Sequence, residues 1–221
     1  MLYDLSRSRN NDFEVYISNN VLKRVKSQKF FGVTFDDKLA WKEHINSAIS
    51  KLNSCLGVSR RAHPYLNRAS LMTIYHSLML SHVNYCNTTW AAWQPRGNKA
   101  VLQRLQAVCN KFIRLTFNMD RTDSVREILK SQNILNVYQN YDFTIGQLMH
   151  KAVNGQLPTV LQNSLVRNND FFFFKNCRLK QTAKSVAFSA PEIWNALPFE
   201  CINQSDFQKF KSMTKQIILE K

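Results

Sequence analysis

The hydrophobic pattern of the chain changes once, from strand-like alternation to helical spacing. Residues 13–17 alternate between apolar and polar side chains, and the segments 21–25 and 30–35 have the composition of returning strands. Asn19-Asn20 lies between the first two segments, and Asn tolerates the positive φ angles of a tight turn. This pattern predicts a small N-terminal β-hairpin with a third short strand.

From Trp41 onward, apolar residues recur every three or four positions, which is the spacing of amphipathic α-helices. The first predicted helix ends at His63-Pro64, and Asn67 is the predicted N-cap of the second. The predicted buried stripes are Ile45, Ile49, Leu52 and Leu56 in the first helix, and Leu71, Ile74, Tyr75 and Leu78 in the second.

Further helices are predicted along the rest of the chain. One begins near Asn98, Ser124 caps a short one, a long one runs over about 136–154, and Ser205 caps the last. Residues 163–185 are predicted to form an irregular insert apart from a run of Phe. The predicted fold is therefore mainly α, with a small β-hairpin in residues 1–38, a helical bundle in 39–119 and a helical C-terminal region in 120–221.

The distribution of charged residues along the chain indicates which class of partner it binds. The formal net charge is +15, and the interval between Glu43 and Asp120 contains nine Lys and Arg residues and no acid. Ordinary solvated faces mix both signs, so this interval favours binding to an anionic polymer such as nucleic acid. The predicted nucleic-acid-binding residues are Arg60, Arg61, Arg68, Arg96, Lys99, Arg104, Lys111 and Arg114.

The sequence predicts neither a membrane partner nor export. The N-terminus lacks the apolar run of a signal peptide, and the Phe run from Phe171 to Phe174 is too short to span a bilayer. The five cysteines are odd in number and widely spaced, which favours free thiols in a reducing compartment. We therefore expect an intracellular protein, without a choice between nucleus and cytoplasm.

The adjacent acids Asp36-Asp37 follow an aromatic residue, as the metal-binding acids of a polymerase palm do. Polymerase chemistry needs carboxylates from separate strands around two metal ions, and only Asp4, Asp12 and Glu14 lie upstream. The pair also precedes a predicted helix, where acids favour the helix dipole and cap its start. We interpret it as structural, and we predict no catalytic residue, no metal site and no cofactor for this chain.

The sequence gives only weak signals for a zinc site, a phosphate-binding loop or base-stacking residues. His76, His82 and Cys86 lack the paired cysteine spacing of structural zinc sites, and no Gly-rich phosphate loop appears. Trp90 and Trp93 are candidates for stacking on exposed bases, but packing in the core is the favoured interpretation for both. Trp194 is interpreted in the same way.

Several phrases resemble one protein family. FFGVTFDDKLAWKEHI at residues 30–45 resembles a phrase of non-LTR (LINE-type, jockey-like) retrotransposon reverse transcriptases that follows the catalytic palm and leads into the thumb. LxxIYxSL at 71–78, YCxxxW at 85–90 and LxxLQ at 102–106 resemble the thumb helices. APEIWNALP at 190–198 with FxxFK at 207–211 resembles the C-terminal tail. Position 31 is Phe where the family usually has Leu.

The resemblance implies a C-terminal part of such an RNA-directed DNA polymerase: the end of the palm, a basic thumb and a tail. In the family, the catalytic aromatic-x-Asp-Asp turn lies upstream, Mg²⁺ serves the complete enzyme, and the thumb grips the template–primer duplex along its backbone. The implied partners are RNA or an RNA–DNA duplex and the missing palm, and a 5′-truncated copy of the element would give such a reading frame. Two alternatives stay open: a non-catalytic binding module with a host role or an inert relic, and, least favoured, a self-sufficient enzyme.

Overall fold

The computed structural model is mainly α-helical, with small antiparallel hairpins near the N-terminus and a helical C-terminal region, which confirms the predicted fold class. The residues that the structure describes are 14–23, 25–92, 99–162, 166–168, 171–173 and 186–220.

The N-terminal region contains two short hairpins. Their turns, Ser18-Asn19 and Phe31-Gly32, have positive φ at both residues, as tight hairpin turns require. The predicted third strand at 30–35 is therefore wrong in its first part, because Phe31-Gly32 is a turn and the strand starts at Val33. The strands are β1 (Tyr16–Ile17), paired with β2 (Asn20–Val21), and β3 (Ser27–Phe30), paired with β4 (Val33–Asp36).

The first two predicted helices are present. Helix α1 covers Lys42–Ala62, and its predicted stripe from Ile45 to Leu56 is buried. A 3₁₀ turn, His63–Tyr65, follows it, and the side-chain oxygen of Asn67 then accepts a hydrogen bond from the Ser70 amide at 2.8 Å. Asn67 is thus the N-cap that the sequence predicts.

The second helix contains a π-helical turn that the sequence did not predict. It is continuous through α2 (Arg68–Ile74), the π-helical residues Tyr75–Met79 and α3 (Leu80–Asn84). A π turn holds an extra residue and so rotates the following residues around the helix axis. Leu78, predicted to be buried, is 51% exposed for this reason, while Met79 is fully buried.

The helix at Val137–Val153, α7, packs against α4 (Asn87–Trp90), α5 (Lys99–Thr116), α9 (Val186–Asn195) and α11 (Phe207–Glu220). Residue Asn136 forms a capping box with Gln139 at the start of α7, and a further hairpin occupies part of the predicted insert at 163–185. The other elements are α4 (Asn87–Trp90), α5 (Lys99–Thr116), α6 (Arg126–Ser131), α7 (Val137–Val153), α8 (Thr159–Gln162), β5 (Val166–Asn168), β6 (Phe171–Phe173), α9 (Val186–Asn195), α10 (Phe199–Ile202) and α11 (Phe207–Glu220).

Two predicted caps need correction. The carboxylate of Asp206, not Ser205, caps α11 by accepting hydrogen bonds from the amides of Gln208 and Lys209 at 2.8 and 3.0 Å. At α6, the Ser124 hydroxyl accepts from the Arg126 amide at 3.4 Å, but Val125 occupies the N-cap position.

One large hydrophobic cluster runs from Val33 to Phe210, and it includes buried residues from the β4 strand, α1, α3 to α7 and α9 to α11, while α2 adds the partly buried Met72 and Ile74. The boundaries proposed at 38/39 and 119/120 stay predictions. Within the described part of the chain, no helix combines the length and the apolar character that crossing a membrane would require.

Candidate nucleic-acid interface

Helices α1 and α5 lie side by side and run in the same direction. Near the start of both, the Arg104 guanidinium donates from Nη1 to Oδ1 of Asn46 at 3.1 Å. Beyond the end of both, the guanidinium of Arg68 lies 4.7 Å from the centre of the Phe117 ring. These two contacts fix the relative direction of the pair.

Regularly spaced polar residues continue along the two helix faces that meet at the Asn46–Arg104 contact. Asn46, Asn53 and Arg60 follow one another at seven-residue intervals on α1, and Arg104 and Lys111 do so on α5, so each set shares one face of its helix. All five side chains are exposed. We call this surface the α1–α5 seam. It contains three cations and two amides, and none of its residues is acidic.

The seam rests on a rigid support. The adjoining faces of the two helices, about 100° around from the seam, place Leu52 of α1 and Leu105 and Phe112 of α5 in the core, each with no exposed surface. Asn46 uses only part of the hydrogen-bonding capacity of Arg104, because a guanidinium carries five N–H donors. Arg104 is therefore held in place and still presents donors to solvent.

Two other predicted residues lie near the end of the seam, and a third is outside the described part. Arg61 is exposed and follows Arg60, about 100° around α1. Arg68 is exposed at the start of α2, where its cation–π contact with Phe117 orients it. Arg96 lies outside the described residues.

Arg114 points away from the seam. It is half-buried, and its Nε donates to the backbone oxygen of Asp123 at 2.9 Å. It lines a cavity of about 410 Å³ together with Arg126 and Lys130 of α6, and no acid is among the described residues that line this cavity. These two cations are not among the predicted binding residues because they follow the acid-free interval, although their i, i+4 spacing on one short helix is a usable signal.

Lys99 also lies apart from the seam. Its backbone oxygen accepts from the Tyr138 hydroxyl at 3.3 Å, and its side chain lines a cavity of about 390 Å³ with Asp142 and Glu192. Because two carboxylates line the same cavity, this position is less suited to an anionic ligand than the seam.

The tryptophans that the structure describes are core residues, as the favoured interpretation predicts. Trp90 has no exposed surface, its Nε1 donates to the Tyr85 backbone oxygen at 2.9 Å, and its ring lies edge-on to that of His44. Trp194 is 1% exposed. Trp93 lies outside the described residues.

Asp36 binds the backbone of the loop between β4 and α1. Its Oδ1 accepts from the amides of Lys38 and Ala40 at 3.2 and 2.9 Å, and its Oδ2 accepts from the Trp41 amide at 2.7 Å. Both oxygens are thus engaged in shaping the loop that leads into α1. The described residues contain no group of three or more His, Cys, Asp or Glu side chains placed to hold a metal ion.

Three of the described cysteines are poor nucleophiles. Burial raises the pKa of Cys109 to about 12, and it also raises the pKa of Cys55 and Cys201 above the ordinary value of a thiol. Since the thiolate is the reactive form, these three side chains are thiols with a structural role at neutral pH. Cys86 is exposed.

Comparisons of this chain with protein-family models, with curated proteins and with solved structures found no match.

Proposed function

We propose that this chain is the thumb and tail region of a LINE-type reverse transcriptase and that it binds a nucleic-acid duplex along its backbone through the α1–α5 seam. The observation that carries the proposal is the seam itself, where Arg60, Arg104 and Lys111 lie exposed on two parallel helices and no acid occurs in residues 46–60 of α1 or in α5. Catalysis is not part of the proposal for this chain.

The spacing of the seam suits phosphates rather than bases. Seven residues of an α-helix span about 10 Å, which corresponds to roughly three base-pair steps along a duplex. Long cationic side chains at this interval can neutralise phosphates along one strand without reading the bases, which is how a sequence-independent grip on a duplex works. The amides Asn46 and Asn53 add neutral donors between the cations.

The geometry of Asp36 supports a structural role for the acidic pair. A carboxylate that accepts three backbone N–H bonds is fixed by the loop it shapes, and the described residues place no group of three or more His, Cys, Asp or Glu side chains that could hold a metal ion. The exposed apolar residues of the two N-terminal hairpins, with Ile17 60% and Phe31 78% exposed, support a palm domain as the packing partner of this region.

A salt titration tests the proposed grip. If about five phosphates are neutralised on duplex DNA, the logarithm of the binding constant falls with the logarithm of salt concentration at a slope near −4.5. The triple variant Arg60→Ala, Arg104→Ala, Lys111→Ala should reduce the steepness of that slope by about 2.7, since each lost phosphate contact contributes about 0.9. RNA, DNA and hybrid duplexes of one sequence give the preference among nucleic acids.

The matched control removes three exposed cations elsewhere: Lys151→Ala, Lys209→Ala and Lys211→Ala. It has the same net charge as the seam variant, so an equal loss in both would assign the binding to net charge and reject the seam. A salt-independent affinity of the unmodified chain would reject the proposal as a whole.

The alternative of a self-sufficient enzyme has its own test. We expect no Mg²⁺-dependent nucleotide incorporation by the purified chain on a primed template. Incorporation that is lost in Asp36→Asn with Asp37→Asn would overturn the proposal and assign catalysis to this pair.

A binding module with a host role would use the same α1–α5 seam, so binding experiments do not distinguish it from part of a polymerase. The native transcript does. Sequencing the native transcript through its 5′ end decides whether an in-frame palm with an aromatic-x-Asp-Asp turn precedes this chain. If it does, the chain works as part of a polymerase. If transcription starts just before Met1, a binding role or no role is left.

A further inference from the structure

A small basic cleft lies on the other side of α1 from the seam. It is a cavity of about 90 Å³ between the β3–β4 hairpin, α1 and α3, and four of its side chains are basic or imidazole groups: Lys29, His44, Lys51 and His82. None of the described residues that line it is acidic. Lys51 lies about 140° around α1 from Asn46, so the cleft and the seam occupy different flanks of the helix.

His44 is the fixed element of this cleft. It is only 8% exposed, and its Nδ1 accepts a hydrogen bond from the Thr34 amide at 3.3 Å. In a neutral imidazole the other nitrogen then carries the proton, so Nε2 of His44 is a donor. Burial and the positive charge of Lys51 both lower the pKa of His44, which keeps the ring in this neutral form near pH 7.

We propose that this cleft binds a single phosphate group. Lys29 and Lys51 supply two ammonium groups from different elements, and His44 supplies a neutral donor with a fixed orientation. Like charges gathered on one cavity without an acid repel one another, and a bound anion relieves that repulsion.

The volume of the cavity limits the size of the anion that can bind in it. Cavities for drug-sized molecules measure about 300–1,000 Å³, which is several times the volume of this cleft. A base or a whole nucleotide therefore does not fit inside, whereas one phosphate group does. The phosphate comes either from solution, as inorganic phosphate, or from the end of a nucleic-acid strand. The second source would extend the proposed function, but the cleft itself is independent of the seam.

Inorganic phosphate titrated into the full chain, followed by NMR of backbone amides and imidazole nitrogens, tests the cleft. We expect saturable shifts of the His44 ring and the Thr34 amide. The variant Lys29→Gln with Lys51→Gln should weaken the affinity by about tenfold or more, because it removes both ammonium groups that would donate charge-assisted hydrogen bonds to the phosphate.

The matched control is Lys38→Gln with Lys42→Gln, two exposed lysines nearby that do not line the cleft. It should change the affinity by less than about twofold, as expected for weakly coupled surface charges. The absence of saturable shifts in the unmodified chain, or equal weakening in both double variants, would overturn the proposal.

Oligonucleotides with a 5′-phosphate or a 5′-hydroxyl then identify the source. If the 5′-phosphate strengthens binding and the Lys29–Lys51 variant loses that difference, the ligand is a strand end. If both oligonucleotides bind equally while inorganic phosphate still shifts His44, the ligand is free phosphate. Either result supports a phosphate cleft. The seam triple variant should keep phosphate binding, so failure of the seam and failure of the cleft are distinguishable.

Discussion

The N-terminal hairpins and the helical body differ in how far their apolar side chains are exposed to solvent. In the hairpins, Ile17, Phe30 and Phe31 are 60, 61 and 78% exposed, whereas Trp90 and Phe112 in the helices have no exposed surface. Two-stranded hairpins are at best marginally stable in water. The helical body therefore supplies most of the free energy of folding, and β3 and β4 depend on being attached to it.

Val33 of β4 is buried in the core cluster, and three polar contacts add to that attachment. Asp36 holds the loop between β4 and α1, the Tyr85 hydroxyl donates to the Phe31 backbone oxygen at 2.6 Å, and the Thr34 amide donates to His44. Gly32 belongs to the same junction: its φ is +79°, and a side-chain carbon there would lie 3.3 Å from the Tyr85 ring. Each contact gives a way to test how strongly the two regions are coupled.

The largest effect is expected from the same substitution made in each region. Phe112→Ala should lower the free energy of unfolding by about 3–5 kcal/mol, because it removes a fully buried ring and leaves a cavity. Phe31→Ala, at an exposed hairpin turn, should change it by less than about 0.5 kcal/mol. Urea unfolding followed by far-UV circular dichroism measures both. Similar losses would contradict the contrast between the regions.

The next effect concerns the acidic pair. Asp36→Ala leaves three loop amides without their acceptor, and it should cost about 1–3 kcal/mol. Asp37→Ala at the half-buried neighbouring position is the matched control, with an expected change within about 0.5 kcal/mol, because the bond from its backbone amide to the Lys26 oxygen is kept. Thermal unfolding at fixed pH compares the two. An equal loss at both positions would mean that the loop does not depend on Asp36 in particular.

A smaller effect is expected at the tip of the second hairpin. Tyr85→Phe keeps the ring against Gly32 but removes the hydrogen bond to Phe31, which should cost about 0.5–1.5 kcal/mol. Amide hydrogen exchange should show the loss mainly in β3 and β4. Tyr65→Phe, at a position that is 88% exposed, is the control and should change neither quantity. A uniform loss of amide protection across the helices would instead mean that the Tyr85 hydrogen bond stabilises the whole fold and not the hairpin in particular.

The sequence predicted the helices well because their stripes are long and periodic. Ile45 to Leu56 on α1 are buried as the spacing predicts, and Asn67 caps α2 because its side chain reaches an amide three residues ahead. Such signals are local and need no knowledge of neighbouring elements.

The errors have different physical sources. The π-helical turn at Tyr75–Met79 adds a residue that no periodicity of Leu and Ile shows in advance, so Leu78 was placed on the wrong face. Ser205 and Asp206 are both good caps, and only the backbone geometry selects Asp206. The candidate site depended on tertiary packing: charge alone did not separate Arg104 from Arg114, which face different sides of α5.

The smallest expected effect is a pH dependence of the attachment. The pKa of His44 is lowered by burial and then by Lys51, so it lies below the value of about 6.5 that an unfolded histidine has. Between those two pKa values the unfolded state binds more protons than the folded state. The stability that this residue contributes is therefore fully present above about pH 6.5 and is lost as the pH falls towards the folded pKa.

Protonated His44 cannot accept from the Thr34 amide, so the loss should appear first as faster hydrogen exchange of that amide. In His44→Gln the side-chain amide oxygen can still accept this bond, but it does not titrate. The free energy of unfolding should therefore decline less between about pH 7.5 and about pH 5 than it does in the unmodified chain. His76, whose pKa burial and Lys215 also lower, is present in both proteins and cancels in the difference. Identical pH slopes would show that His44 does not link the hairpin to α1.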